Sequence, residues 1–168
     1  MTRSQIREIA THISFAQNAN PRPAEEVLEA LLDPDYYETL REEDELYAAY
    51  PSAKQIAYLR LVAVGVSDHL AELDHYIEKY ARGWKVSRIS RVAMAIMRVS
   101  MYEVLYVPEV PGSVAINEAV EIAKHYEEAE TVSFINGILG SFIREELREF
   151  AVDASSDVST EEASAEVE

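Results

Sequence analysis

Several features common in proteins are absent or scarce in this 168-residue chain. It has no cysteine, which excludes disulfides, thiolate metal sites and cysteine nucleophiles. Its five glycines and six prolines are roughly half the usual share, so few turns and a helical fold are expected. The longest apolar run, residues 61–66, is far shorter than a membrane span, and the polar N-terminus shows no secretory signal. We therefore expect a soluble, cytoplasmic protein.

The negative charge is unevenly distributed. A formal net charge of −16 argues, taken whole, against nucleic-acid binding, because phosphate repels acid. Residues 25–50 carry a net −9 and residues 153–168 a net −6, whereas residues 1–24 carry a net +2. This distribution removes most of the objection. Because residues 151–168 are acidic and lack aromatics, they are predicted to form a disordered tail after a single domain, residues 1–150.

One stretch, residues 79–102, contains no acid at all. It holds six bases: Lys79, Arg82, Lys85, Arg88, Arg91 and Arg98. Two interpretations stay open from the charge pattern alone, a solvated basic face and an anion-binding patch.

Hydrophobic periodicity predicts helices throughout. Thr2 and Gln5 form a capping box that begins the first helix, and Pro23 and Pro34 bound a short second one. Residues 33–51 are acidic and not clearly assigned. Apolar residues spaced by three and four from Ile56 to Tyr80 predict one long helix, bent near Gly65. Further helices are expected over residues 88–106, from Ser113 and from Thr131. No alternating pattern long enough for a strand occurs, so the fold class is all-α.

The residue patterns of common catalytic and metal sites are missing. There is no phosphate loop, dinucleotide fingerprint or His-Glu-x-x-His motif. A lone Glu72-x-x-His75 has the spacing of di-iron bundles, but that chemistry needs two such motifs and two further inward glutamates. We expect a protein that is not an enzyme and has no cofactor or metal site.

Several sequence blocks occur together in a specific order. Trp84 is followed by Ala95-Ile-Met-Arg-Val99 and Tyr102-Glu103, then by Ile116-Asn-Glu-Ala-Val120 and Phe134-Ile-Asn-Gly-Ile-Leu139. These blocks resemble the NusB family of bacterial transcription antitermination factors, over roughly residues 3–150. The residue types predict that Asn117 and Asn136 are buried amides tying helices together, and that Gly137 permits close helix contact.

The resemblance implies about seven helices in two packed bundles. It implies a complex with the small-subunit ribosomal protein that doubles as NusE, binding the boxA element of nascent RNA, chiefly of ribosomal RNA operons. The complex would join elongating RNA polymerase and suppress premature termination. Both monomers and homodimers are known in the family, so the oligomeric state stays open.

The resemblance also implies which residues bind RNA. Arg3 and Arg7 occupy the arginine-rich motif of the first helix and, four residues apart, are expected to share a face. Phe15 is expected either to stack on a base or to pack in the core. The remaining matching positions are His12, Tyr80, Glu130, Thr131, Ser133 and Phe134.

Contact with the ribosomal protein is expected after Trp84, through Arg88, Arg91 and Met94, although Ala93 stands where relatives often have Glu. The thinned arginine motif leaves a rival hypothesis open, a NusB-like protein-interaction module with reduced or lost RNA binding. The fold also occurs as the accessory domain of RNA cytosine methyltransferases. That function is not expected, because only 18 residues follow Phe150.

Overall fold

The computed structural model describes the backbone of residues 1–165 and the side chains of residues 1–147. Within this part the chain forms eight α-helices and two short 3-10 turns, with no strand. The helices are α1 (Arg3–Ala19), α2 (Ala24–Leu32), α3 (Pro34–Glu43), α4 (Ala53–Asp68), α5 (Leu70–Tyr80), α6 (Arg91–Tyr106), α7 (Gly112–Tyr126) and α8 (Ala129–Ala165). No helix among the described residues is both long enough and apolar enough to cross a membrane. The all-α prediction is confirmed, with eight helices rather than about seven.

Side-chain caps explain where several helices begin. Thr2 and Gln5 form the predicted capping box at α1, and Ser52 and Gln55 form a second one at α4. Asp33 caps α3, which lies inside the stretch that the sequence left unassigned. The local signals at these helix starts are therefore satisfied in the fold.

The long helix predicted from Ile56 to Tyr80 is wrong in one respect. It is two helices, α4 and α5, that meet at His69. No proline or glycine marks this junction. The His69 ring packs 4.2 Å from the ring of Tyr106, at the point where the helix is interrupted. The apolar spacing continues across the junction because both helices bury one face in the same core.

Helix α6 lies at the centre of the molecule. It packs against α1, α4, α5, α7 and α8, and it is buried continuously from Ala93 to Glu103. The core around it is built from buried aliphatic and aromatic residues of α1, α2, α4, α5, α7 and α8. The helices thus form an N-terminal group, α1–α4, and a C-terminal group, α5–α8. Helix α6 belongs to the second group and also packs on α1 and α4 of the first.

Polar contacts fix the packing between helices of the C-terminal group. Arg98 on α6 donates from Nε to Asp74 on α5 at 2.7 Å and from Nη2 at 3.0 Å. Ser100 donates to the carbonyl of Ala115 on α7 at 3.1 Å. These bonds fix the register of α5 and α7 against α6.

The backbone of α8 is helical to Ala165, and so differs there from the disordered tail predicted for residues 151–168. Side chains beyond Leu147 and the whole of residues 166–168 lie outside the described part. That the tail contributes nothing to the core stays a prediction.

Two glycines with opposite surroundings test the packing of α4 on α6. A Cβ on Gly65 would overlap the Tyr102 ring, whereas a Cβ on Gly137 would meet nothing within 4 Å. We expect Gly65→Ala to destabilise the fold by roughly 1–3 kcal/mol through overpacking. Gly137→Ala should stabilise it by about 0.5–1 kcal/mol through helix propensity. Urea unfolding measures both; equal stabilities would contradict the close approach of α4 to α6.

Candidate nucleic-acid interface

Arg3 is the accessible arginine of the first helix. It is the first residue of α1, directly after the N-cap Thr2, and is exposed. Its guanidinium carbon lies 4.0 Å from the centroid of the Tyr58 ring on α4, in a cation–π contact. The contact orients the side chain while leaving it open to solvent, so Arg3 can meet a phosphate.

Arg7 does not share that exposed face, and this part of the sequence prediction is wrong. Only 7% of the residue is accessible, and its Nε donates to both carboxylate oxygens of Glu103 on α6, at 3.0 and 2.9 Å. Its Nη1 also lies 3.6 Å from Glu118 on α7. Burial acts to lower the pKa of Arg7, but the hydrogen bond and charge of Glu103 raise it overall. The four-residue spacing from Arg3 is correct, but the side chain turns inward toward a partner 96 residues away.

His12 links α1 to the turn Glu45–Tyr47 and to the end of α7. Its Nδ1 lies 2.6 Å from the hydroxyl of Tyr47, and its Nε2 lies 2.6 Å from the hydroxyl of Tyr126. The Tyr126 hydroxyl donates to Glu8 at 2.7 Å, and His125 also contacts Glu8 at 3.2 Å. A continuous polar chain therefore runs across α1, with His12 at its middle.

The hydrogen-bond donors among these polar side chains determine which ring nitrogen of His12 carries the proton. An ionised Glu8 can only accept, so Tyr126 donates to it and must itself accept from Nε2–H. The Nδ1 atom then accepts from Tyr47. Burial lowers the pKa of His12, which favours this neutral form. Both ring nitrogens of His12 are therefore engaged within the protein, and neither is free to bond a ligand.

Phe15 and the start of α8 lie on the surface. Phe15 is 38% exposed, so of its two predicted roles the structure leaves room for stacking. Glu130 and Ser133 are exposed and Thr131 is half-buried. The His12–Tyr126 bond holds the end of α7 against α1, and α8 begins three residues after α7 ends. The start of α8 is thus linked to α1 through the end of α7.

Tyr80 is the second predicted RNA residue that the structure places elsewhere. It is 5% exposed, and its hydroxyl donates to Glu146 on α8 at 2.5 Å. Burial raises the pKa of Tyr80 to about 12, and the bond to Glu146 adds to this. Lys79 donates to the same carboxylate oxygen at 2.9 Å. Tyr80 therefore stabilises the packing of α5 on α8.

The expected partner surface is only partly accessible. Arg88 and Arg91 are exposed, whereas Met94 is 7% exposed and Ala93 is fully buried. Met94 is excluded as a major contact because its helical position turns it into the core. The predicted surface is reduced to the two arginines.

Three residues of the recognised blocks also lie differently from the prediction. Asn117, Asn136 and Gly137 are exposed, so none of them ties helices together in the core. Asn136 instead borders a shallow groove of about 560 Å³ between α7 and α8, together with Lys124 and Ser133. The prediction rested on residue type, a polar amide or a glycine within an apolar helix, and residue type alone did not show that these positions face solvent.

Two contributors to this surface were not singled out as binding residues from the sequence. Tyr126 completes the polar chain to Glu8, and Trp84 stacks on Phe134 with ring centroids 4.5 Å apart. Trp84 was visible as the single tryptophan in an acid-free stretch. Tyr126 carried no comparable signal, because its partners lie more than a hundred residues away in α1.

The helical architecture has clear counterparts among solved structures. It matches a crystal form of NusB from T. maritima with a TM-score of 0.71 at 27% identity, covering 86% of this chain and 92% of that one. A structure described as the antitermination factors NusB and NusE in complex with dsRNA matches with a TM-score of 0.66, covering 84% of this chain and 96% of that one. At 17% identity this second match concerns the fold alone. The fold therefore places this protein in the class of all-helical proteins that have the fold of NusB.

Sequence comparison gives the family. Residues 4–144 match the NusB family, and the chain belongs to it. The transcription antitermination protein NusB of Clostridium botulinum strain Kyoto is 33% identical over 85% of this chain and all of the relative. The protein of the same name from Thermoanaerobacter sp. strain X514 is 34% identical over 87% of this chain and 93% of the relative.

Breaking the buried ion pair should destabilise the protein strongly. Arg7→Met leaves Glu103 charged and unpaired in the core, at an expected loss of about 3–5 kcal/mol in unfolding free energy. The double variant Arg7→Met/Glu103→Met should recover much of that loss, because no buried charge is then uncompensated. Urea unfolding of wild type and both variants measures this. If Arg7→Met kept wild-type stability but lost RNA affinity, the buried role would be contradicted and Arg7 would have to contact RNA.

Protonation of His12 should weaken the fold. Because its pKa is lower in the folded protein than in the unfolded chain, stability is fully present above the ordinary histidine pKa of about 6.5. It is lost as pH falls from there toward the folded pKa. Melting temperatures between pH 8 and pH 5.5 should therefore fall less in His12→Gln than in wild type. The exposed His75→Gln is the control; a pH dependence changed equally by both variants would contradict the role of His12.

Proposed function

We propose that this protein is a transcription antitermination factor. It binds the boxA element of nascent RNA from ribosomal RNA operons, together with the small-subunit ribosomal protein that acts as NusE. The observation that carries the proposal is the family match over residues 4–144, on a chain that keeps the family's helical fold. The complex joins elongating RNA polymerase and suppresses premature termination. The protein acts in the cytoplasm, without enzymatic activity or a cofactor.

The accessible residues support a weak RNA surface on the protein alone. Of the residues expected there, Arg3, Phe15 and Ser133 are exposed, while Arg7 and Tyr80 are engaged inside the protein. The first helix thus offers a single free arginine for phosphate contact. Tight binding therefore requires the ribosomal protein to supply additional positive charge and additional base contacts.

The burial of Arg7 favours a second candidate function. If the loss of Arg7 from the surface has removed most RNA contacts, the protein acts as a NusB-like docking module for other proteins. The two functions differ in their dependence on RNA sequence. An antitermination factor prefers boxA over a scrambled RNA when the partner is present, whereas a docking module does not.

A titration of boxA RNA, with and without the ribosomal protein, separates the two candidates. We expect weak binding by the protein alone and clearly tighter, boxA-selective binding by the pair. The absence of any boxA preference in the presence of the partner would overturn the antitermination proposal. Salt should be varied in every titration, because phosphate contacts weaken as salt rises.

Arg3→Ala tests the remaining arginine of the first helix. We expect weaker RNA binding by the protein–partner pair and a log–log salt slope reduced by about 0.7, the value of one phosphate contact on a single strand. The exposed Arg22→Ala, in the connection between α1 and α2, is the matched control. A slope that changes equally in the two variants would place the phosphate contact away from α1.

A further inference from the structure

Four exposed cations lie in the connection between α5 and α6. They are Arg82, Lys85, Arg88 and Arg91, and none of these four side chains makes an ion pair or side-chain hydrogen bond in the described structure. Elsewhere most basic side chains do have acidic partners, as Arg60 has Glu25 and Lys124 has Glu121. In a chain of net charge −16, four adjacent cations without an anion are conspicuous.

The local structure holds these cations outward. The connection turns at Gly83, whose φ of +81° favours glycine, and continues through the 3-10 turn Val86–Arg88. Val86 and Ile89 are half-buried and pack on the core, which anchors the segment between the cations. Arg88 is then presented on the exposed side. The charges thus belong to an anchored segment.

An aromatic platform lies in the same segment. Trp84 is 41% exposed, and its ring rests on Phe134 of α8 at 4.5 Å with a 40° tilt. The contact with Phe134 holds the indole in place while leaving surface for another ring. Cations interleaved with an exposed, supported aromatic are the combination that binds single-stranded nucleic acid, through phosphates and stacked bases.

The platform adjoins the RNA surface already proposed. Phe134 belongs to the first turns of α8, next to Ser133, and Ser90 at the start of α6 donates a hydrogen bond to Glu127 just before α8. The first turn of α6 carries no acid, so its positive helix end adds to the same potential. Glu128 and Glu130 are exposed at the start of α8. Their negative charge confines the surface that favours phosphate to residues 82–91.

We propose that residues 82–91 form a second RNA-binding surface that takes a single strand, with Trp84 stacking on a base and the four cations contacting phosphates. This inference rests on the proposed RNA function and relocates its main electrostatic contribution from α1 to the α5–α6 connection. It also assigns Arg88 and Arg91 to RNA. A concentrated positive strip attracts a polyanion and repels any basic protein surface.

The single tryptophan supplies a direct test. We expect the fluorescence of Trp84 in the full chain to be quenched on titration with a boxA oligoribonucleotide, in the presence and absence of the ribosomal protein made without tryptophan. Inorganic polyphosphate, which has charge but no bases, should occupy the cations and leave the emission nearly unchanged. Saturable RNA binding with unchanged emission would overturn the stacking assignment.

Charge variants test the phosphate contacts. The quadruple variant Arg82→Gln/Lys85→Gln/Arg88→Gln/Arg91→Gln should reduce the log–log salt slope of RNA binding by up to about 3, at about 0.7 per contact. A control with the same change in net charge replaces four other exposed arginines, Arg22, Arg41, Arg60 and Arg144, by glutamine. We expect the control to keep nearly the wild-type slope. Equal slopes in the two quadruple variants would overturn the proposal.

The remaining outcomes separate this inference from the proposed function. If wild type binds boxA with its partner and the 82–91 variant binds as well as the control, the second surface is wrong and the function stands. If wild type shows no RNA binding, both fail. If the 82–91 variant loses affinity for the ribosomal protein in the absence of RNA, the strip is a protein-docking surface. Thermal melting of each variant shows that the substitutions leave the fold intact.

Discussion

The buried ion pair between Arg7 and Glu103 is the interaction on which the arrangement of this surface depends. Glu103 belongs to α6, which contacts helices of both the N-terminal and the C-terminal group. Because a carboxylate in the core requires its cation, α1 cannot rotate or slide on α6 without leaving a charge unpaired. The pair therefore fixes the rotation of α1. Ile6, Ile9 and Ile13 face the core in that rotation.

The same rotation determines the interface. With α1 fixed, His12 meets Tyr47 and Tyr126, while Arg3 and Phe15 remain exposed at opposite ends of the helix. The bond to Tyr126 holds the end of α7 against α1, and the start of α8 follows directly. Arg7, which looks free in the sequence, is thus engaged inside the fold by Glu103. Of the two arginines of α1, only Arg3 keeps an exposed side chain.

The sequence predicted what depends on neighbouring residues and missed what depends on distant ones. The capping box at Thr2 and the helical class could be read locally, and both agree with the structure. The break at His69 could not, because it involves packing against Tyr106 in another helix. Arg7 follows the same rule, since its partner is 96 residues away. Asn136 was expected to be buried because it stands in an apolar helix, but it lies outside the buried stripe of α8 that Ile135 and Leu139 form.

The net charge of −16 affects the rate at which RNA would encounter the protein more than the contacts that RNA would make with it. At physiological ionic strength, charges more than about 8 Å apart are largely screened, so a strand on the α5–α6 connection experiences mainly the cations there. The acidic residues of α2 belong to a helix that packs on α1 and α4, and those of α3 to a helix that packs on α2. Their field reduces the rate of encounter without removing the local contacts. A basic partner that covers acidic surface would raise that rate, which gives a physical reason for a protein of this charge to bind RNA as half of a pair.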